Sequence, residues 1–470
     1  MPKKKTALTI EERLQQALVP VEEQPYEVPE NWVWVRLGNF IDLLRGVSYK
    51  KHDVHNEKME NDCLILRGGN IIEGGLDLNA DNVYVDKSLV SEAQLIRKND
   101  IIIVSSTGSV KVIGRAGLAF YDYNDVAFGA FLTLARPKNG CNKSFVDLFF
   151  QSFLYRQSIR ELASGVNINN IRSEYITNMT FPLPPLSEQQ RIVERIEELF
   201  AKLDEAKERL QEAADSFAVR KAAILHKAFT GELTKQWRWE NGVSDESWEE
   251  KKLNEICIAR AGYAFNSKEF GSKGYQIIRM GNLYGGQLLL DRSPVFIDEQ
   301  ILDEKIIEKS IIQKGDILIT LTGTKYKRDY GYAVLVTITG KMLLNQRILS
   351  LRPKNDNADF ICYCLQTKEF RDVFFSNETG GVNQGNVSSK FVENISIKYP
   401  SLPEQHEIVR LIDDLLARER SAQQATEQAL ASIDLMKKSI LARAFRGELG
   451  TNKASEASAL ELLRQVLAEN

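Results

Sequence analysis

Two stretches of the chain carry apolar residues at the spacing of a helical seam. Behind Pro184-Pro185 they stand at Ile192, Ile196, Leu199, Leu203, Ala206, Leu210, Ala213 and Phe217, in steps that alternate four and three. That alternation is a heptad seam. Ser187, with Gln190 three residues on, predicts a capping box at the start of this helix. A helix from Ser187 to Phe229 would be about 60 Å long at a rise of about 1.5 Å per residue, too long to bury its seam inside a small domain. A mate with the same spacing follows at Ile408, Ile412, Leu415, Ala422, Ala429, Ile433, Met436 and Ile440. Glu419 and Thr426 fall on that second seam as polar interruptions, which cost stability and can fix register. Two long helices paired as a coiled coil are expected, with two unrelated surface helices as the plainer alternative.

Residues 31 to 181 and 247 to 399 have a different pattern. Short β-like runs such as Ile101-Ile102-Ile103-Val104 and Ile317-Leu318-Ile319-Thr320 alternate with Gly and Asn turns. Each stretch is the size of one mixed α/β domain. The two ends are amphipathic and helical, Thr9 to Leu18 and Ser458 to Leu467, and could dock on a partner or on each other.

The second half of the chain repeats the first at a displacement of 216 residues. Trp32 answers to Trp248, Gly46 to Gly262, Asp100 to Asp316 and Arg136-Pro137-Lys138 to Arg352-Pro353-Lys354. Pro184-x-Leu186-x-Glu188-Gln189 recurs as Pro400-x-Leu402-x-Glu404-Gln405, and Ala228-Phe229-x-Gly231-Glu232-Leu233 as Ala444-Phe445-x-Gly447-Glu448-Leu449. Arg67-x-Gly69-Asn70 matches Arg279-x-Gly281-Asn282 at 212 before the register returns, as surface loops on a retained core allow. Most residues between these anchors differ. The copies share a frame and differ in content.

Composition narrows the class. A chain of 470 residues exceeds what one hydrophobic core usually serves. There is no run of eighteen apolar residues, and the Lys3-Lys4-Lys5 start leads into no apolar signal core, so a cytoplasmic protein is expected. The five cysteines fit neither a zinc set nor a disulfide framework and read as buried free thiols. His52, His55, His226 and His406 show no metal-binding spacing.

Catalytic motifs are missing from the sequence. It has no phosphate loop ending in Gly-Lys-Ser/Thr, no dinucleotide fingerprint, no His-Glu-x-x-His and no Gly-x-Ser-x-Gly elbow. Thr322-Gly323-Thr324-Lys325 lacks the first glycine of a phosphate loop. Leu183-Pro184-Pro185-Leu186 lacks the polar residue and ring with which an amino-methyltransferase holds a flipped base.

Corresponding loops of the two copies collect donors and aromatics. The first offers Arg45, Tyr49, Lys50, Lys51, Arg67, Asn70, Ser106, Thr107, Ser109, Lys111, Arg115, Asn167, Asn169 and Asn170. The second offers Arg260, Tyr263, Arg279, Asn282, Thr322, Thr324, Lys325, Tyr326, Lys327, Arg328, Gln346, Arg347, Asn383, Gln384 and Asn386. This is the mixture that double-stranded DNA readout needs: Arg and Lys for guanine edges and phosphates, Asn and Gln for adenine, hydroxyls for phosphate oxygens. A formal net charge of −3 and a pI near 6.0 are unusual for a stand-alone DNA binder. Either the positive charge is gathered on one face or a partner supplies much of the phosphate grip.

The two-copy plan, the Leu-Pro-x-Leu-x-Glu-Gln helix entrances at 183–189 and 399–405 and the Ala-Phe-x-Gly-Glu-Leu exits resemble the specificity subunit of type I restriction-modification systems. Glu27 to Gly38 and Gly165 to Ile171 are similar to the same family, and the resemblance spans essentially the whole chain. It implies an α+β fold with two target-recognition domains, each reading one half of a split DNA site, joined by two long antiparallel helices. The segments would be an N-terminal helical segment (1–28), a first target-recognition domain (29–184), a central long-helix region (185–236), a second target-recognition domain (237–400), a distal long-helix region (401–450) and a C-terminal helix (451–470). The resemblance further implies a non-catalytic chain without cofactors of its own, assembled with two modification (adenine methyltransferase) subunits and two restriction (endonuclease) subunits. Those partners would bring S-adenosylmethionine, ATP and Mg. A coiled-coil interaction scaffold without DNA specificity is the alternative from another class.

Overall fold

The structure, a computed structural model, describes residues 9–109, 111–165, 170–325, 327–381 and 384–469. It divides into two compact units, Met1–Leu210 with Ala429–Asn470, and Gln211–Gln428. The helix Leu186–Phe229 gives its first half to the first unit and the rest to the second; Leu402–Ala444 does the reverse.

The first unit is built on a four-stranded antiparallel sheet in the order Ile41–Arg45, Leu132–Pro137, Ile101–Val104, Ala116–Leu118. Ile101–Val104 is buried at every position, which is why it reads as a continuous β-branched run. A second sheet orders Tyr84–Asp86, Asp62–Leu66 and Val126–Phe128, the last pair parallel. Helices Lys143–Gln151 and Phe153–Gly165 follow, and Val33–Arg36 pairs with Thr180–Leu183. The second unit repeats this plan. Its main sheet runs Cys257–Ala261, Ile348–Pro353, Ile317–Thr320, Ala333–Leu335, and its other sheet again ends in a parallel pair, Tyr275–Ile278 with Met342–Leu344.

Several of the repeated residues are structural. Asp100 and Asp316 are almost wholly buried, and Arg136 and Arg352 grip them. Gly46 and Gly262 lie against backbone, where a Cβ would fall 2.1 Å from Gly129 O and 2.0 Å from Asn345 O. No side chain fits at either place. The Glu-Gln pair at each helix entrance is also buried. Gln189 Nε2 donates to Pro184 O and its Oε1 accepts from Asn142 N, both at 2.9 Å; Gln405 does the same with Pro400 O and Asn357 N at 3.1 and 3.4 Å. Glu188 accepts from Trp32 Nε1 and Asn452 Nδ2, each at 2.8 Å. Glu404 accepts instead from Thr234 Oγ1 at 2.7 Å and Arg238 Nη1 at 2.8 Å, while Trp248 Nε1 is buried without a partner among the described residues.

Within the first unit, Ile192, Val193 and Ile196 share one core with Leu441, Ala444 and Phe445. Asp204 meets Lys437 at 2.5 Å and Lys207 meets Asp434 at 3.5 Å, so the two helix segments run antiparallel. Within the second unit, Leu225 and Ala228 pack with Ile408, Ile412 and Leu416. Leu199, Leu203, Leu210, Phe217, Leu415 and Ile440 are half-buried, and Ile433 is buried.

Three sequence expectations about these helices are corrected. Met436 is 51% exposed and Ala422 is exposed as well. From Ile433 the inward position is the step of four, Lys437, whose ammonium lies 5.0 Å from the centroid of the Phe200 ring. Its aliphatic stem suits the seam while its charge reaches Asp204 at the rim. The capping box at Ser187 does not form, because the helix already begins at Leu186. Gln190 accepts from Asn142 Nδ2 at 2.7 Å and donates to Glu194 at 2.9 Å. Of the polar interruptions, Thr426 is buried and donates to Ala422 O at 2.8 Å, and Glu419 accepts from Arg220 Nε at 2.8 Å.

The terminal helices, Ile10–Ala17 and Ala459–Glu469, pack on each other, with Ala17, Leu463 and Val466 in the core of the first unit. The five cysteines are buried free thiols. Among the described residues there is no cluster of His, Cys, Asp and Glu able to hold a metal, and no helix long and apolar enough to cross a membrane.

Candidate nucleic-acid interface

Sheet edges bring the proposed loops together in both units by the same backbone bonds. In the first unit Ser106 bridges Asn170, and Ile171 N donates to Ser105 O at 2.7 Å. In the second, Thr322 and Gly323 pair with Asn386 and Gly385, and Val387 N donates to Leu321 O at 2.9 Å. Gly129 N donates to Leu66 O at 2.9 Å, and Asn345 N to Ile278 O at 3.2 Å.

A cleft of about 510 Å³ opens on the first frame, lined by Arg45, Ser48, Ser105, Asn170 and Arg172 among others. Arg45 ends the strand Ile41–Arg45. Lys50, Lys51, Ser109 and Lys111 are exposed on neighbouring loops. Thr107 Oγ1 accepts from Ser109 N at 3.3 Å, and Tyr49 packs half-buried against Val47, Ile65 and Val85. Arg67 is tied to Asp81 at 3.0 Å, and Arg115 Nη1 donates to Ile71 O at 3.1 Å.

In the second unit a cleft of about 500 Å³ opens at a different corner of the frame, lined by Arg279, Arg292, Gln346 and Arg347. Tyr263 stands beside it: its amide donates to Leu344 O at 2.8 Å, and its carbonyl accepts from Gln346 N at 3.0 Å. Arg260 lies on the sheet opposite Ser350. Thr322 Oγ1 contacts Met280 Sδ at 3.0 Å, and Asp329 holds Thr324 through its amide at 2.7 Å and its hydroxyl at 3.1 Å. The Thr324 amide also keeps the Asp329 carboxyl below the usual carboxylate range. Lys325 reaches Gly380 O at 3.5 Å, Arg328 lies 5.0 Å from the Phe375 ring, and Lys327, Gln384 and Asn386 are exposed.

Asn70 and Asn282 are corrected. They are 0% and 1% exposed, with every donor and acceptor used inside the loop. Asn70 Oδ1 accepts from Arg67 N at 2.7 Å, and its amide donates to Asp77 O and Ala80 O. Asn282 Oδ1 accepts from Arg279 N at 2.9 Å, and its amide donates to Leu289 O at 3.0 Å and Arg292 O at 2.9 Å. They recur because they fold the turn, and they have no group to offer a base. Asn167, Asn169, Tyr326 and Asn383 lie outside the described residues.

Arg172 and Arg292 escaped the sequence reading. Each faces a non-basic residue in the other copy, Ser388 and Ala80 respectively, so a search for recurring residues passes over both.

One α+β frame is used twice, with a donor-rich cleft on each copy and unlike side chains on the matched loops, an arrangement suited to reading two different DNA segments. The comparisons specify the class. The model of the type I restriction modification DNA specificity domain matches residues 29–214 and again 245–430. The chain is 30% identical to the Type I restriction enzyme EcoKI specificity subunit of Escherichia coli K12, over 94% of this chain and 96% of that one. It is 28% identical to the StySPI specificity subunit of Salmonella potsdam, with the same coverage. In fold it is similar to the HsdS subunit from Thermoanaerobacter tengcongensis, with a TM-score of 0.58 at 19% identity, covering 91% of this chain and all of that one. A chain from a type I R-M system studied for complex assembly is similar at a TM-score of 0.65 and 19% identity, covering 90% of this chain and all of that one. The chain belongs to the type I restriction-modification DNA specificity family.

Proposed function

We propose that the two domains read unlike halves of one asymmetric, bipartite double-stranded DNA site, and that the chain directs partner subunits to it without catalysing a step itself. The partners would be two modification subunits using S-adenosylmethionine, joined by restriction subunits that use ATP and Mg, all acting on cytoplasmic DNA. The observation that carries this reading is the loop frame, joined by the same backbone bonds in both units and carrying different side chains. Phosphate contacts position a protein on DNA, and base contacts specify the sequence. A frame kept constant while its loop residues change suits that division. The long helices, antiparallel within each unit, are the natural setting for the number of unspecified base pairs between the half-sites.

Exchange of residues 247–399 for the matching domain of a relative with a different target tests the reading. One half of the methylated motif should change and the other half stay. A motif unchanged, or changed in both halves, would refute independent reading. Sequence-independent binding would favour the scaffold alternative.

A further inference from the structure

We propose that the cleft at Arg279, Arg292 and Arg347 is a phosphate anchor for the second half-site, and that the equivalent corner of the first domain is built without one. The inference rests on the DNA-reading function above and assigns the phosphate grip at this corner of the frame to one of the two domains.

The corners occupy the same place in the frame. Asn70 and Asn282 fold the same loop, ending at Ala80 O in one unit and Arg292 O in the other. The residues that follow, Asp81 and Ser293, share a left-handed backbone, φ 50° and 48°. On the adjoining loop, Phe131 O accepts from Ser105 N at 3.1 Å and Arg347 O from Leu321 N at 2.9 Å.

The chemistry at these matched positions is opposite. In the first unit they hold Ala80, Ala130 and a 71% exposed Phe131, and the one cation, Arg67, is neutralised by Asp81. In the second they hold Arg292, Gln346 and Arg347, and Arg279 faces Ser293, to whose carbonyl it donates at 2.7 Å. Among the described residues no carboxylate pairs with Arg279, Arg292 or Arg347. Arg292 instead lies over the Tyr284 ring at 4.5 Å. Three unpaired guanidiniums lining one cleft repel one another, and a polyanion relieves that repulsion. In a chain of net charge −3 this concentration points to phosphate oxygens, which the planar guanidinium fork fits well.

The test uses the assembled complex of this chain with its modification subunits, titrated over a range of salt on a duplex carrying its motif and on a scrambled duplex. Arg292→Ala and Arg347→Ala should each make the plot of log affinity against log salt shallower by about one, on both duplexes. Phe131→Ala should leave the slope unchanged. All three side chains are exposed, so unchanged thermal melting is expected and separates this effect from misfolding. An unchanged slope in both arginine variants overturns the anchor. So does a loss confined to one base pair of the motif at constant slope, which would make the arginines base readers. A wild-type complex that does not prefer its motif would overturn the specificity reading, while arginine-dependent slopes would still uphold the anchor.

Discussion

Arg136 holds Asp100 by two parallel bonds, Nε to Oδ1 at 2.8 Å and Nη2 to Oδ2 at 2.6 Å. The carboxylate also accepts from Arg97 N at 2.7 Å, so one buried charge ties the turn before Ile101–Val104 to the adjacent strand. Arg352 and Asp316 repeat the arrangement at 2.6 and 2.8 Å, with Gln313 N donating at 2.9 Å.

Removing either arginine strands a buried carboxylate. Arg136→Ala should lower stability by about 3–5 kcal/mol in denaturant unfolding. Arg136→Lys should recover only part of that loss, because an ammonium cannot make the fork. A loss below about 1 kcal/mol would show that the pair is not a structural tie.

Asp147 gives a pH dependence. It is 6% exposed on the helix Lys143–Gln151, and burial pushes its carboxyl up to about 7, against the opposing pull of the Gln151 amide donating at 2.7 Å. In the unfolded chain an aspartate titrates near about 3.9. Between about pH 4 and pH 7 the folded chain therefore keeps a proton that the unfolded chain has released, and stability falls as pH rises. Asp147→Asn should flatten that fall and stabilise the protein at pH 8 by at most about 4 kcal/mol. Unfolding curves of the two proteins at pH 5 and pH 8 with the same stability difference at both would contradict it.

Much of this was legible in the sequence, because a repeat shows which positions the backbone depends on. Gly46, Asp100, Arg136, Glu188 and Gln189 all recur, and all are buried or packed structural residues. The same logic misled at Asn70, whose recurrence records a turn rather than a contact with DNA. Residues that distinguish the two copies cannot recur, so Arg172 and Arg292 became visible only once the chain was folded. On the second long helix, Lys437 takes an inward place that a purely apolar pattern assigns to Met436.

The helices invite a direct geometric test. Deleting one heptad from each removes about 10 Å of helix, or about three base pairs of duplex. The gap in the methylated motif should shorten by about three base pairs, with both half-sites unchanged. A constant gap in an active complex would show that the helices do not set it.

The most direct measurement is methylome sequencing of a host that carries this chain with its modification partner and no other methyltransferase. A single split motif with unlike halves, one per domain, is the expected result. A continuous motif, a palindromic one, or no motif from an expressed and assembled complex would contradict reading by two dissimilar domains.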